Sequence, residues 1–231
     1  MPNWCYNKVT FSHDDPNEIT RLINAAKVGK LFNEFCPMPP ELLEEAEPGE
    51  NYGERRSAIE KRNLEKYNYS SWYDWSIDNW GTKWDISEMD DDDNFMVSED
   101  GKTVSFTFDT AWAPPTEWYD NIDGFLIEAY YYEPGVGFCG KWTSEDGDDQ
   151  YEVSFEDDIE DIEERIPSDI LDEFGIIDEI RDWKESMAEE DEDIDDIEDG
   201  DMIDPTDRMQ ELADEFEAVM ASEEDENKKD G

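Results

Sequence analysis

From Trp4 to Phe11 the apolar side chains Cys5, Val9 and Phe11 fall mostly on alternate positions, the period of a half-buried strand. Asp14-Asp15-Pro16 then supplies a helix start, with proline near the first turn. Ile19, Leu22, Ile23 and Ala26 follow at helical spacing, and Gly29 closes the helix. Cys36-Pro37-Met38-Pro39-Pro40 is extended, because each proline biases its predecessor away from the helical region. The charged stretch from Glu54 to Tyr67, with only Ile59 and Leu64 as larger aliphatic contacts, predicts a surface helix within an insertion at 41–71.

Beyond the insertion, Trp72 to Asp85 is dense in aromatic residues. Val104, Phe106 and Phe108 alternate cleanly and predict a strand over Thr103–Asp109. Ala113-Pro114-Pro115-Thr116 opens a short helix through Trp118 and Ile122. Phe125–Tyr132 and Phe138–Thr143 read as strands joined through Gly135 and Gly137. Glu145-Asp146-Gly147-Asp148 signals a hairpin turn before a further strand at Tyr151–Phe155. This order of strands and helices predicts an α+β fold, an antiparallel sheet with helices on one face, over residues 1–155.

After Phe155 the period changes. Ile159, Ile162 and Ile166 are spaced as on a helix, and Pro167 interrupts. Ser168 is placed to cap a second helix carrying Ile170, Leu171, Phe174, Ile177, Ile180, Trp183 and Met187. The expectation is therefore an acidic α-helical C-terminal extension over 156–187. An acidic linker (188–203), a C-terminal helix (204–221) begun by Asp204-Pro205 and a disordered tail (222–231) would follow.

Composition sharpens this division. The chain holds 9 Trp, 10 Tyr and 11 Phe, too many aromatics for a disordered protein. Yet its 36% hydrophobic content is too low for one core to run throughout its 231 residues. Residues 1–150 carry 32 acidic and 12 basic side chains, and residues 151–231 carry 36 and 6. The shorter part therefore has the larger charge, -30 of the total -50.

Four ordered motifs resemble the YubB-like family of small phage- and plasmid-encoded proteins. They are Met1-Pro2-Asn3-Trp4-Cys5-Tyr6-Asn7, Asn79-Trp80-Gly81-Thr82-Lys83-Trp84, Phe108-Asp109-Thr110-Ala111-Trp112-Ala113-Pro114-Pro115, and Tyr132-Glu133-Pro134-Gly135 with Phe138-Cys139-Gly140. The resemblance spans about residues 1–155 and implies a ferredoxin-like βαββαβ core. It implies a mobile-element origin, in which inhibitors of host defence are common, and no particular chemistry.

Candidate catalytic groups are few. His13 is the one histidine, flanked by Asp14 and Asp15, and an exposed turn histidine outweighs a general base there. No nucleophile elbow, phosphate-binding loop or dinucleotide fingerprint is present, so no catalytic residues are assigned and an enzyme is not expected. Cys5, Cys36 and Cys139 lack the close pairing of zinc ligands and read as free thiols of a reducing compartment. Asp90–Asn94, aligned as a calcium loop, has Phe95 and Gly101 where glycine and glutamate are needed. No metal or cofactor is expected. No apolar run approaches the ~20 residues that cross a bilayer, and no signal peptide opens the chain, so a cytoplasmic location in the host is expected.

The charge decides the partner class. Direct nucleic-acid binding is opposed by -50 charges, and the aromatic stretch Trp72–Asp85 is interleaved with Asp74, Asp78 and Asp85 against the one cation Lys83, which favours core packing. The basic cluster Arg55, Arg56, Lys61, Arg62 and Lys66 alternates with Glu54, Glu60 and Glu65, as a self-compensated helix does. An anionic membrane is disfavoured on the same ground. A basic, nucleic-acid-binding host protein or defence complex is favoured, and 50 charges match about 25 base pairs of duplex. The carboxylates expected to stand in for phosphates are Asp157, Asp158, Glu160, Asp161, Glu163, Glu164, Asp172, Glu173, Asp178 and Glu179. The alternative is an adaptor that docks through its sheet, with the acidic tail serving solubility or recruitment.

Overall fold

The computed structural model describes residues 2–89 and 91–195, with side chains described to residue 188. The expected segments 196–203, 204–221 and 222–231 lie outside the described residues. Two compact units divide the chain, Met1–Ile180 and Arg181–Gly231.

The first unit is built on a six-stranded antiparallel sheet. Its strands are β1 (Trp4–Ser12), β2 (Met96–Val97), β3 (Thr103–Ala111), β4 (Leu126–Glu133), β5 (Phe138–Thr143) and β6 (Gly147–Glu152), in the order β2-β3-β1-β4-β5-β6. Strand β1 lies between β3 and β4, antiparallel to both, with Val9 facing Phe106 on one side and Ala129 on the other. Strand β6 begins at Gly147 rather than at Tyr151, because pairing with β5 continues down to the turn itself, Thr143 opposite Gly147. Helices α1 (Pro16–Lys27), α2 (Leu31–Phe35), α3 (Tyr52–Tyr67) and α4 (Trp72–Trp80) separate β1 from β2. Helix α5 (Thr116–Asn121) joins β3 to β4.

The first face of the sheet carries the larger core. Val9, Phe11, Phe106, Phe108, Ile127 and Ala129 meet Ile19, Leu22, Phe32, Trp75, Trp80 and Trp118. Phe11 stacks on Phe106 at 5.6 Å between centroids and takes Trp118 edge-on at 6.0 Å. The indole N–H groups remain satisfied inside: Trp118 donates to the Phe32 carbonyl at 3.1 Å and Trp80 to the Cys36 carbonyl at 3.0 Å. Of the aromatic stretch after residue 71, Trp75 and Trp80 are core and Tyr73 and Trp84 are exposed; its first part folds as α4 under a Ser71 cap that accepts from the Asp74 N–H at 3.3 Å. Asp85, beside it, accepts from the N–H groups of Phe32 and Asn33 at 2.9 and 3.0 Å and so caps α2.

The second face corrects the expectation of helices on one face alone. Helices α6 (Ile159–Arg165), α7 (Ser168–Phe174) and the start of α8 (Ile176–Asp195) lie against it. Ile162, Ile166, Ile170, Leu171, Ile176 and Ile180 form a second core with Tyr132, Cys139 and Val153. The periodicity after residue 155 is that of helices whose apolar stripe has a sheet to cover. The predicted helix over 168–187 is broken at Gly175, which takes φ +63° and accepts the left-handed turn between α7 and α8 without a Cβ penalty. Of the second unit, the described part is the remainder of α8, Arg181–Asp195, which continues into the segment expected as linker. Within it, Ser186 donates to the Trp183 carbonyl at 2.9 Å.

Candidate protein-binding surface

In α6, the inward stripe Ile162 and Ile166 fixes which side chains face water. Glu160, Asp161, Glu163 and Glu164 are exposed, while Ile162 is 0% exposed beneath them. Asp158 is exposed at the position preceding the helix, and Glu160 and Asp161 stand in its first turn. There they face the positive end of the helix dipole. Asp157 folds back to Arg165 at 2.9 Å, so its charge is compensated. The outward row Glu160, Glu163, Glu164 spans about 6 Å of helix rise, so the charges are displayed at fixed spacing.

Helix α7 repeats the arrangement. Ile170 and Leu171 are buried, Asp172 is exposed, and Glu173 pairs with Lys8 of β1 at 2.5 Å. Asp178 and Glu179 are exposed in the first turn of α8. Burial first, and then the Glu179 carboxylate, hold the Tyr132 phenol well above its ordinary range. The sequence-predicted carboxylates therefore come together on consecutive elements of one compact unit. Asp157 is tied to Arg165 and Glu173 to Lys8. Glu160, Asp161, Glu163, Glu164 and Asp172 lie on the solvent side of α6 and α7.

A cleft of about 570 Å³ opens where α7 meets the sheet, lined by Thr10, Glu128, Lys141, Asp149, Asp169 and Ile170. Its lysine is engaged: Lys141 meets Glu128 at 3.1 Å, Asp169 at 3.2 Å and the Tyr130 hydroxyl at 2.6 Å. The Tyr130 hydroxyl and then the two carboxylates raise its pKa against the opposing effect of burial. A phosphate entering this cleft would have to displace carboxylates that already hold the cation.

The remaining candidates lie apart from these helices. His13 Nδ1 accepts from the Asp15 N–H at 2.9 Å, and its ring packs on Phe125 at 4.9 Å. The Asp15 carboxylate turns instead to the N–H of Asn17 at 2.9 Å, capping α1. Cys5 and Cys139 are buried free thiols and Cys36 is half-buried. Burial pushes the Cys139 thiol from 9.0 to about 11, with Arg165 opposing the shift. No group of three or more metal-ligating side chains comes together among the described residues. The basic cluster on α3 is compensated: Arg56 pairs with Glu60 at 2.7 Å, Arg62 with Glu44 at 2.8 Å and Lys66 with Glu41 at 2.7 Å.

The sequence reading missed one feature, the exposed aromatic side chains at the start of β1 and just beyond β3. Trp4 and Tyr6 are 43% and 44% exposed on β1, and Trp112 just beyond β3 is 47% exposed. Trp112 also takes φ +75°, uncommon for a residue with a side chain, and donates its N–H to the Asn3 carbonyl at 3.0 Å. The signal was available: Trp4 and Tyr6 alternate with Cys5 and Asn7 and so oppose the core face.

No family model matches the chain, and no curated protein matches it. A solved structure, described as a protein api92 from Yersinia pseudotuberculosis with the family model DUF1281, aligns at TM-score 0.34 and 12% identity. That alignment covers 67% of this chain and 99% of that one.

Proposed function

We propose that this chain is a non-catalytic binding protein whose acidic helices occupy the nucleic-acid site of a basic host protein. The observation that carries the reading is the rigid display of carboxylates on α6 and α7. Glu160, Asp161, Glu163, Glu164 and Asp172 face solvent while Ile162, Ile166, Ile170 and Leu171 clamp the same helices to the sheet. Charges held on a packed scaffold need little ordering on association, so they compete with a duplex more effectively than a flexible acidic tail. The YubB-like motifs favour a phage or plasmid origin and a host defence complex, nuclease or helicase, as the partner. The sheet supports a ferredoxin-like reading of the core: β2-β3-β1-β4 has the strand order of that fold, with α5 crossing between β3 and β4. Strands β5 and β6 and helices α6–α8 are then additions to it.

The test is neutralisation. Glu160→Gln, Asp161→Asn, Glu163→Gln and Glu164→Gln together remove charge from the solvent face and leave the buried stripe intact. The combined variant should lose capture of its partner from bacterial lysate and retain the wild-type melting profile. Undiminished capture would refute the phosphate-mimicking role.

Docking through the sheet is the second reading. The exposed aromatics of β1 favour it, since Trp and Tyr at a surface are typical anchors of interfaces.

A further inference from the structure

Strand β1 presents Trp4, Tyr6 and Lys8 to the second face of the sheet. Lys8 is held by Glu173 of α7, so the helical layer reaches the middle of the strand. Tyr132, opposite Tyr6 on β4, is buried under that layer, with Phe174 at 6.0 Å from its ring. Trp4 and Tyr6 themselves remain open. Two other exposed rings share a cation: Lys83 stands 4.2 Å from the Trp84 ring and 5.9 Å from that of Tyr73. Among the described residues no cation lies over Trp4 or Tyr6, and neither ring stacks on another.

Asp109 is directly opposite Tyr6 across the β1–β3 pair, and therefore on the same face. The two Cβ atoms of such a pair are about 5 Å apart. Asp109 is exposed, yet it has neither a hydrogen-bond nor an ion-pair partner among the described residues. Partial desolvation raises its carboxyl pKa above the ordinary value, and no neighbouring cation lowers it. Next to two open aromatic rings, this carboxylate is left to meet a cation from outside.

Side chains two residues apart on one strand face are separated by about 6.5–7 Å. A planar group in van der Waals contact lies about 3.5 Å from a ring. Two rings standing side by side at that interval leave room for one flat group, next to Asp109. A guanidinium meets both demands: its face stacks on aromatic rings, and its edge donates two parallel hydrogen bonds to a carboxylate. A lysine ammonium has the charge and lacks the plane.

We propose that Trp4, Tyr6 and Asp109 form a docking site for an arginine side chain of a partner protein. The occupant is a cationic protein segment, by charge complementarity with Asp109 and with a chain of net charge -50. The site deepens the sheet-docking reading and uses none of the acidic side chains of α6, so the two can be tested apart.

The experiment is fluorescence anisotropy with the full chain and labelled oligo-arginine and oligo-lysine peptides of equal length. General acidity attracts both peptides, so the change in the arginine-to-lysine affinity ratio between the wild type and single variants reports the site. The wild-type chain should prefer arginine by about five-fold. Trp4→Ala and Asp109→Asn should each lower the ratio by at least about two-fold. Tyr6→Phe, which keeps the ring, should preserve it. These side chains are exposed, so thermal melts of the variants should overlay the wild type; a variant that melts early is replaced by Trp4→Leu. Neutralising Glu160, Asp161, Glu163 and Glu164 should weaken both peptides and leave the ratio unchanged. A ratio unaltered in Trp4→Ala and Asp109→Asn overturns the site. So does tighter binding of a single-stranded oligonucleotide than of the arginine peptide. Partner capture that persists in Trp4→Ala, with no arginine preference in the wild type, also overturns it while leaving sheet docking intact.

Discussion

Ile162 offers the sharpest test of whether the acidic helices are part of the folded unit. It is 0% exposed and packs in the second core with Tyr132, Cys139, Val153, Ile166 and Ile170. Its replacement by alanine removes three carbon atoms from a site closed by a sheet on one side and helices on the other. Neither wall can collapse into the space without disturbing β4 or β5, so the loss is that of a buried aliphatic, about 2–5 kcal/mol. A domain stable by about 5–15 kcal/mol survives this as a folded protein with a lowered midpoint. With a urea dependence of about 2 kcal/mol per molar, the midpoint falls by about 1–2.5 M. The assay is equilibrium urea unfolding followed by far-UV circular dichroism and by tryptophan fluorescence, the latter reporting the first-face core. Glu163→Ala, one residue along and exposed, is the control and should leave the midpoint unmoved. A midpoint in Ile162→Ala within about 0.3 M of wild type would refute the reasoning, because α6 would then contribute nothing to the second core.

Other consequences follow from single contacts. Gly140 lies opposite Tyr131, and a Cβ there would stand 2.2 Å from the Tyr131 hydroxyl and 2.7 Å from the Asp149 carbonyl. Gly140→Ala should therefore destabilise by about 1–3 kcal/mol, read by thermal melting, and a neutral result would show that β5 shifts freely. Asp85→Ala leaves the N–H groups of Phe32 and Asn33 without their acceptor and should lower stability by about 1–3 kcal/mol, with faster amide exchange at the start of α2. Cys139 holds its proton more tightly when folded, about 11 against 9.0, so its contribution to stability is complete below pH 9 and is lost as pH rises through about 11. Urea midpoints measured across that window should fall less in Cys139→Ala than in the wild type, and parallel curves would contradict the shift. Native-state alkylation should label half-buried Cys36 before Cys5 and Cys139, and equal rates would mean that the sheet opens readily.

Much of this architecture is legible in residue spacing. The alternation of Val104, Phe106 and Phe108 places β3, and Asp15-Pro16 places α1, because each is a local rule. The two-faced sheet is not legible in the same way. The isoleucines at 159, 162 and 166 announce a helix with a stripe to bury, and nothing local says what buries it. The partner surface is supplied by Tyr132 and Cys139, distant in sequence and revealed by the register of β4 and β5. The break at Gly175 belongs to the same class, since a glycine inside a helical period reads equally as a tolerated interruption. In the candidate site, the outward carboxylates of α6 follow from the stripe. The pairings of Asp157 with Arg165 and of Glu173 with Lys8 do not, because they depend on how the elements meet. Asp109 is legible only through register: its isolation is visible once Tyr6 is known to stand opposite.

The central claim is that carboxylates fixed on α6 and α7 compete with nucleic acid for a basic protein. The most direct measurement is capture of partners by the tagged full chain from bacterial lysate, with release followed against rising salt and against added duplex DNA. The account predicts a nucleic-acid-binding complex that is retained at low salt, leaves steeply as salt rises and is displaced by DNA. A partner that stays bound through high salt and excess DNA would contradict it and would move recognition to the aromatic face of the sheet.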